Sequence, residues 1–216
     1  MYQEEKQQVI ETGIKLHDYH LISLSGGNVS LRINNHVLVT PSGMMYQNLK
    51  PEDIVVMDLD GNIIEGSRRP SVDSVAILHI LKHMPEVGAV IHTHQVYASA
   101  VGLFSDTLPA VVTTLVNATL GAVNVAPFSS AASLDMGIAA VEYLKGKRAV
   151  ILKQHGVITV GGTLKEALYA AVYMEDAAKT YCVARSVGDI PELTPSQIQD
   201  AVDSFMNYGQ TSQKNH

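Results

Sequence analysis

The sequence predicts a single α/β domain, a central and largely antiparallel or mixed sheet with helices on its faces. Three observations lead there. Short apolar runs rich in β-branched residues, such as 87–91 and 149–152, are interleaved with longer amphipathic stretches, without the strict alternation of a parallel fold. Two hairpin signals, Asn34-Asn35 and Asp60-Gly61, place antiparallel neighbours early in the chain. No repeat, low-complexity tract or linker divides the 216 residues, a length that one core can serve.

Residues 3–20 set Val9, Ile10, Ile14 and Leu16 among charges, the pattern of a helix with one wet face. Ser25-Gly26-Gly27-Asn28 breaks it. Strands are expected at 29–33 and 36–39, then a loop at Thr40-Pro41-Ser42-Gly43, then a second hairpin of 54–59 and 62–65. Pro70-Ser71 stops a polar run, and a helix is expected from about 72 to 84. Val75, Leu78, Ile80 and Leu81 would share its buried side, and Pro85 ends it. After the 87–91 strand, 95–104 reads as helix and 106–127 as short β-like runs around Pro109, Gly121 and Pro127. A helix over 134–144 follows, then strands at 149–152 and 157–160. A long Ala-rich helix from 164 to about 187 and a last one from 195 to about 208 complete a domain spanning 1–216, with 209–216 as a mobile tail.

Composition narrows the function classes. The chain is 46% hydrophobic and 17% charged with a net charge of −6, which fits a packed globular domain. Lys and Arg are scattered, so no basic stripe points to nucleic acid. An anionic substrate would have to be held by local backbone donors and single cations. One cysteine, Cys182, excludes an internal disulfide framework and a Cys-based zinc site, and fits a reducing compartment. The N-terminal MYQEEKQQ has no leader pattern and no apolar stretch reaches spanning length, so a soluble cytoplasmic protein with no membrane partner is expected.

The most chemically pointed motif is His92-Thr93-His94 at the end of the 87–91 run. On a strand, positions i and i+2 face the same way about 6.6 Å apart, so both imidazoles can converge on one ion; a helix would splay them. His155, between the 149–152 run and Gly156, is a third candidate. Three histidines without a fourth protein ligand match a catalytic zinc site with an open position. The competing reading is strand-end histidines hydrogen-bonded to backbone.

Three loops carry donors. Gly26-Gly27-Asn28 can form a nest of N–H groups, Thr40-Pro41-Ser42-Gly43 offers a hydroxyl and a glycine N–H, and Pro70-Ser71 precedes a helix N-terminus. Each alone is equally well an ordinary turn or cap. Asp73, in the first turn of the expected helix, is either a helix-dipole partner or a general base beside the metal. His17, His20 and His36 take structural readings. His79 and His83 are spaced i, i+4 but lack a third ligand nearby, and Tyr169, Tyr173 and Tyr181 read as packing residues.

Taken in order, SGGNVS (25–30), TPSG (40–43), PSVD (70–73), AVIHTH (89–94), QHG (154–156) and NYGQ (207–210) resemble the class II aldolase/adducin family, in length and layout its L-fuculose 1-phosphate aldolase branch. The resemblance implies an α/β/α sandwich around a mostly antiparallel sheet, assembled as a cyclic homotetramer with active sites between subunits. It implies Zn2+, or another divalent transition metal, on His92, His94 and His155. It implies a substrate phosphate held around Gly27, Asn28, Ser42, Gly43 and Ser71, with Asp73 as acid/base and Tyr208 near the neighbouring site. The implied reaction is reversible cleavage of a ketose 1-phosphate to dihydroxyacetone phosphate and an aldehyde.

The chain departs from the aldolase pattern at three positions. Aldolases of the family carry Glu where this chain has Asp73, often a second Ser where it has Val72, and in several cases a proton-donating Tyr where it has Thr113. The L-ribulose 5-phosphate 4-epimerases share an Asp at position 73 and the Thr, but their catalytic Asp falls on Asn117, whose amide cannot exchange protons. An epimerase using the same retro-aldol step is therefore the alternative. Decarboxylation of a 3-oxo sugar-acid phosphate is a third possibility. A non-catalytic adducin-like interaction module predicts loss of the metal histidines, and all three are present.

Overall fold

The computed structural model describes residues 1–206; Tyr208 and the expected tail at 209–216 lie outside the described residues. The early hairpins form where the turn chemistry places them. Strands β1 (Asn28–Ile33) and β2 (His36–Val39) pair antiparallel, with Asn34 in the left-handed region at φ 54°. Strands β3 (Val55–Asp58) and β4 (Ile63–Glu65) pair in the same sense. Gly61 takes φ 93° in their turn, a conformation glycine adopts without a steric penalty. Five more strands follow: β5 (Ala89–Thr93), β6 (Thr107–Leu108), β7 (Val123–Ala126), β8 (Ala149–Leu152) and β9 (Gly156–Gly161). All join one sheet in the order β4-β3-β2-β1-β5-β9-β8-β7-β6, antiparallel throughout except for the β7–β8 pair.

Seven α-helices sandwich this sheet among the described residues: α1 (Gln3–Asp18), α2 (Ser74–His83), α3 (Val96–Phe104), α4 (Thr113–Thr119), α5 (Leu134–Leu144), α6 (Leu164–Arg185) and α7 (Pro195–Met206). The two-residue period of the strands divides their side chains between the layers. Val37, Val39, Val90, Val150 and Ile158 face α2 and α5. Leu38, Val56, Ala89 and Ile91 face α1 and α6, while Val125, Ile151 and Val157 meet α3, α4 and α6. Each Val, Leu or Ile side chain so removed from water contributes about 1.5–3 kcal/mol. Helix α6 opens on a capping box, with Thr163 accepting from the Glu166 N–H and Glu166 accepting from the Thr163 N–H. No helix among the described residues is long and apolar enough to cross a membrane.

Three expectations are corrected. The 106–127 segment is not simply β-like: Thr113–Thr119 is helical although rich in β-branched residues. Tertiary packing overrides propensity there, because the helical turn buries Leu115, Val116, Ala118 and Thr119 together. Helix α2 starts at Ser74, not 72, and Val75 points to solvent at 42% exposure; Ala76 and Ile77 take the buried side instead. Helix α1 stops at Asp18, and His20 turns left-handed at φ 59° to redirect the chain.

Candidate active site

Strand register brings the first two histidines to their neighbours. β5 runs antiparallel to β1 with Asn28 opposite His92, so both side chains project from the α2/α5 face. β5 ends at Thr93, and His94 follows at the strand's end. The turn between β8 and β9 swings His155 to the same spot, with Gln154 at φ 60° and the His155 N–H donating to the Leu152 carbonyl at 3.1 Å. Two glycines make the approach possible. A Cβ on Gly156 would overlap the Thr93 carbonyl oxygen and sit 3.0 Å from His94 Cδ2. A Cβ on Gly27, at φ 72°, would overlap the His92 carbonyl oxygen.

The three imidazoles form a compact group. Ring centroids lie 4.8 Å apart for His92–His94, 4.8 Å for His92–His155 and 5.4 Å for His94–His155. One ligand atom from each lies within 4.8 Å of the others. His92 Nδ1 is 2.8 Å from the Val157 carbonyl, which can only accept, so the proton resides on Nδ1 and the Nε2 lone pair is free to ligate. His92 Nε2 stands 3.1 Å from His94 Nε2, and His155 Nδ1 is buried without a hydrogen-bond partner. Burial pushes the His92 imidazole down to about 4; Asp73 opposes this, while His94 and His155 add to it. Burial, then His94, lowers His155 as well. Neutral imidazoles are the metal-binding form. Closely facing nitrogens and an orphaned buried nitrogen fit a divalent transition metal on three histidines.

Asp73 completes the group. It is buried and occupies the N-cap position of α2, yet its side chain does not cap the helix. Oδ2 accepts from Asn28 Nδ2 at 2.8 Å, and Oδ1 from the Ala132 N–H at 3.1 Å. The same Oδ2 is 3.9 Å from His92 Nε2. A carboxylate serving only the helix dipole would turn to the helix N–H groups; this one is held against the histidines.

The predicted donor loops converge, though their backbone is largely committed. An isolated bridge pairs Pro41 with Pro70, the Ser42 N–H donates to the Arg69 carbonyl at 2.9 Å, and the Ser71 N–H to the Thr40 carbonyl at 3.0 Å. Thr40 also ties to β1, its Oγ1 accepting from the Val29 N–H at 3.2 Å. The loops around 25–28, 40–43 and 70–73 therefore meet beside Asp73. What they offer an anion is the exposed Ser42 hydroxyl, the open turn at Gly43 and the Ser71 hydroxyl, which accepts from the Asp73 N–H at 3.3 Å.

Several contributors escape a sequence reading. Tyr46 braces the glycine loop, its hydroxyl 3.4 Å from the Gly26 carbonyl, and burial pushes its phenol above the usual range. Its ring occupies the space a Cβ on Gly13 would need; a glycine inside a helical pattern was the available trace of that close packing. The Ala132 N–H, Gln95 and Glu175 left no signal. Thr113 and Asn117 line a separate cavity of about 430 Å³ between α4 and α7. With its amide nitrogen inward, Asn117 donates to the Thr113 and Ala201 carbonyls at 3.1 and 2.7 Å, so within one chain it braces helices and does not reach the histidines. His79 and His83 stack on α2 at 4.0 Å, away from the three-histidine group.

A three-histidine group that could hold a metal ion stands beside a buried carboxylate at the end of a central strand of this sandwich, the donor set of metal-assisted enzymes. Residues 7–182 match the family described as Class II Aldolase and Adducin N-terminal domain, and the chain belongs to that family. It is 32% identical over 212 residues to the 5-deoxy-D-ribulose 1-phosphate aldolase of Bacillus thuringiensis serovar kurstaki (strain ATCC 35866 / NRRL B-4488 / HD73), covering 97% of this chain and 99% of that one. Among solved structures, an L-fuculose 1-phosphate aldolase superposes with a TM-score of 0.89 at 30% identity, over 93% of this chain and 95% of that one. The L-fuculose 1-phosphate aldolase of Thermus thermophilus gives 0.75 at 26% identity, over 85% and 96%. The chain is a class II aldolase of the fuculose and deoxyribulose phosphate aldolase type, and hence a lyase.

Proposed function

We propose that this protein is a zinc-dependent aldolase that reversibly cleaves a ketose 1-phosphate to dihydroxyacetone phosphate and an aldehyde. The supporting observation is the Asp73 carboxylate, suspended between Asn28 and Ala132 at 3.9 Å from His92 Nε2. His92, His94 and His155 would hold the metal, which when bound supplies electrophilic polarisation of the substrate carbonyl. Asp73 exchanges the proton on the carbon next to that carbonyl. Gly27, Asn28, Ser42, Gly43 and Ser71 bind the phosphate and so fix the position of that carbon before Asp73. Tyr208 serves the oxygen of the aldehyde half. The unit is a cytoplasmic homotetramer, which sedimentation at micromolar concentration would check against a monomer.

The test is incubation of zinc-loaded protein with 5-deoxy-D-ribulose 1-phosphate, L-fuculose 1-phosphate and L-ribulose 5-phosphate, with products read by NMR. Release of dihydroxyacetone phosphate from either ketose 1-phosphate supports the proposal. Conversion of the 5-phosphate to its C4 epimer, with no cleavage of the others, would overturn it. The engagement of Asn117 between α4 and α7 disfavours that second outcome.

A further inference from the structure

His92 lies within a strand and His155 in the tight turn between two paired strands, whereas His94 follows the end of β5 on a segment that leaves the sheet. β5 ends at Thr93, α3 begins at Val96, and between them the chain crosses from the end of the sheet to the α3/α6 layer. Nothing in the local sequence holds that crossing: Gln95 is the N-cap residue of α3 and makes no capping hydrogen bond. The missing cap comes from α6. Glu175 accepts the Tyr97 N–H on Oε1 at 2.8 Å and the Ala98 N–H on Oε2 at 2.9 Å, a bidentate clamp on the positive end of α3. Gln95 adds a second tie to the same helix. Its side chain is fully buried, with Nε2 donating to the Ala171 carbonyl at 3.0 Å and Oε1 left without a partner. A buried amide with one unsatisfied end is costly to keep, so its other end must do something an aliphatic side chain cannot.

We propose that Glu175 and Gln95 are positioning residues of the metal centre, fixing the backbone just after His94 so that its imidazole meets those of His92 and His155. This rests on the reading of His94 as a metal ligand. The clamp adds what the strands lack. His92 is held by β-pairing to β1 and β9 and by its bond to Val157, whereas His94 is exposed and stands after the last paired residue of its strand. A ligand on a segment anchored to α6 moves with α6. Losing the anchor frees the His94 backbone without touching any ligand atom.

Titration of the metal-free full chain with Co2+, followed by visible absorption, tests this apart from turnover. Glu175→Gln and Gln95→Leu should each weaken Co2+ binding about ten- to a hundredfold and shift the absorption band. Glu175→Asp, which keeps the charge, should recover part of the affinity. Met174→Ala loosens the neighbouring core of α6 and should lower the melting temperature while leaving Co2+ affinity and spectrum as in the wild type. If Glu175→Gln fails to fold, Gln95→Leu keeps the test open, because it removes the hydrogen bond and the orphaned oxygen together. Unchanged affinity and spectrum in both clamp variants, with only a lower melting temperature, would overturn the proposal. His94→Ala, run alongside, separates the two readings. If it binds Co2+ as tightly as the wild type, the ligand assignment itself has failed; if it loses the metal while the clamp variants do not, only the clamp has.

Discussion

Asn28 donates from Nδ2 to Asp73 Oδ2 across 2.8 Å, tying the first residue of β1 to the mouth of α2. Because β1 registers Asn28 opposite His92, one side chain orients the carboxylate toward a member of the three-histidine group. Each oxygen of Asp73 is committed to a separate donor, Asn28 and the Ala132 N–H, so its position is over-determined.

That arrangement makes Asp73→Asn informative. The variant keeps the volume and removes the basicity, and its single oxygen can satisfy only one of the two donors. Turnover should fall by about two to four powers of ten with the metal still bound. Asp73→Glu should keep measurable activity. A residue serving only the helix dipole would cost no more than about 1 kcal/mol of stability on the same change and would leave the rate intact. Steady-state kinetics beside metal analysis decides between these.

His155→Ala should strongly reduce metal occupancy, measured by elemental analysis after dialysis. The buried, unpartnered Nδ1 of His155 and its place in the three-histidine group are the reasons. Full occupancy at native affinity would show that the third ligand lies elsewhere.

Acid should destabilise the metal-free protein through His92. Its imidazole is held near 4 in the fold against 6.5 when unperturbed, so between those values the unfolded chain binds the extra proton. The stabilising effect of a neutral His92 is complete above about pH 6.5 and is lost as pH falls through about 4. His155, also lowered, acts in the same direction. Urea midpoints measured from pH 8 downward should stay level and then decline, with a shallower decline in His92→Gln.

Gly27→Ala and Gly43→Ala form a matched pair. Both glycines sit at φ 72°, but a Cβ at 27 would overlap the His92 carbonyl, whereas at 43 nothing lies within 4 Å. The substitution at 43 should cost the left-handed strain alone, about 1–2 kcal/mol. At 27 it should cost about 2–4 kcal/mol and weaken metal binding, since His92 must give way. Chemical denaturation of both variants, with metal titration, gives the comparison.

Much of the architecture was legible locally. The helix at Leu134–Leu144 and the strand at Ala149–Leu152 fall where their patterns place them, and the Asn34-Asn35 turn forms the expected hairpin. The Thr113–Thr119 helix was not, because β-branched residues favour strands until a neighbouring helix layer offers burial. The bend that exposes Val75 depends on where α2 begins, which is set by Ser71 and Asp73 engaging other loops. In the site, the same-face pairing of His92 with His94 follows from strand periodicity, but nothing local shows that the Ser42 and Ser71 N–H groups are spent on Arg69 and Thr40.

By itself the sequence determined most of the elements and turns and singled out the histidine trio and the carboxylate, because periodicity and turn chemistry act over a few residues. The tertiary structure decided which of these meet. Asn28 reaches Asp73, Ala132 closes on its other oxygen, and Glu175 grips the start of α3 only because strand order and register bring distant segments within hydrogen-bond range. Such contacts depend on angstrom-scale placement across the sheet, and no local pattern in a chain encodes that.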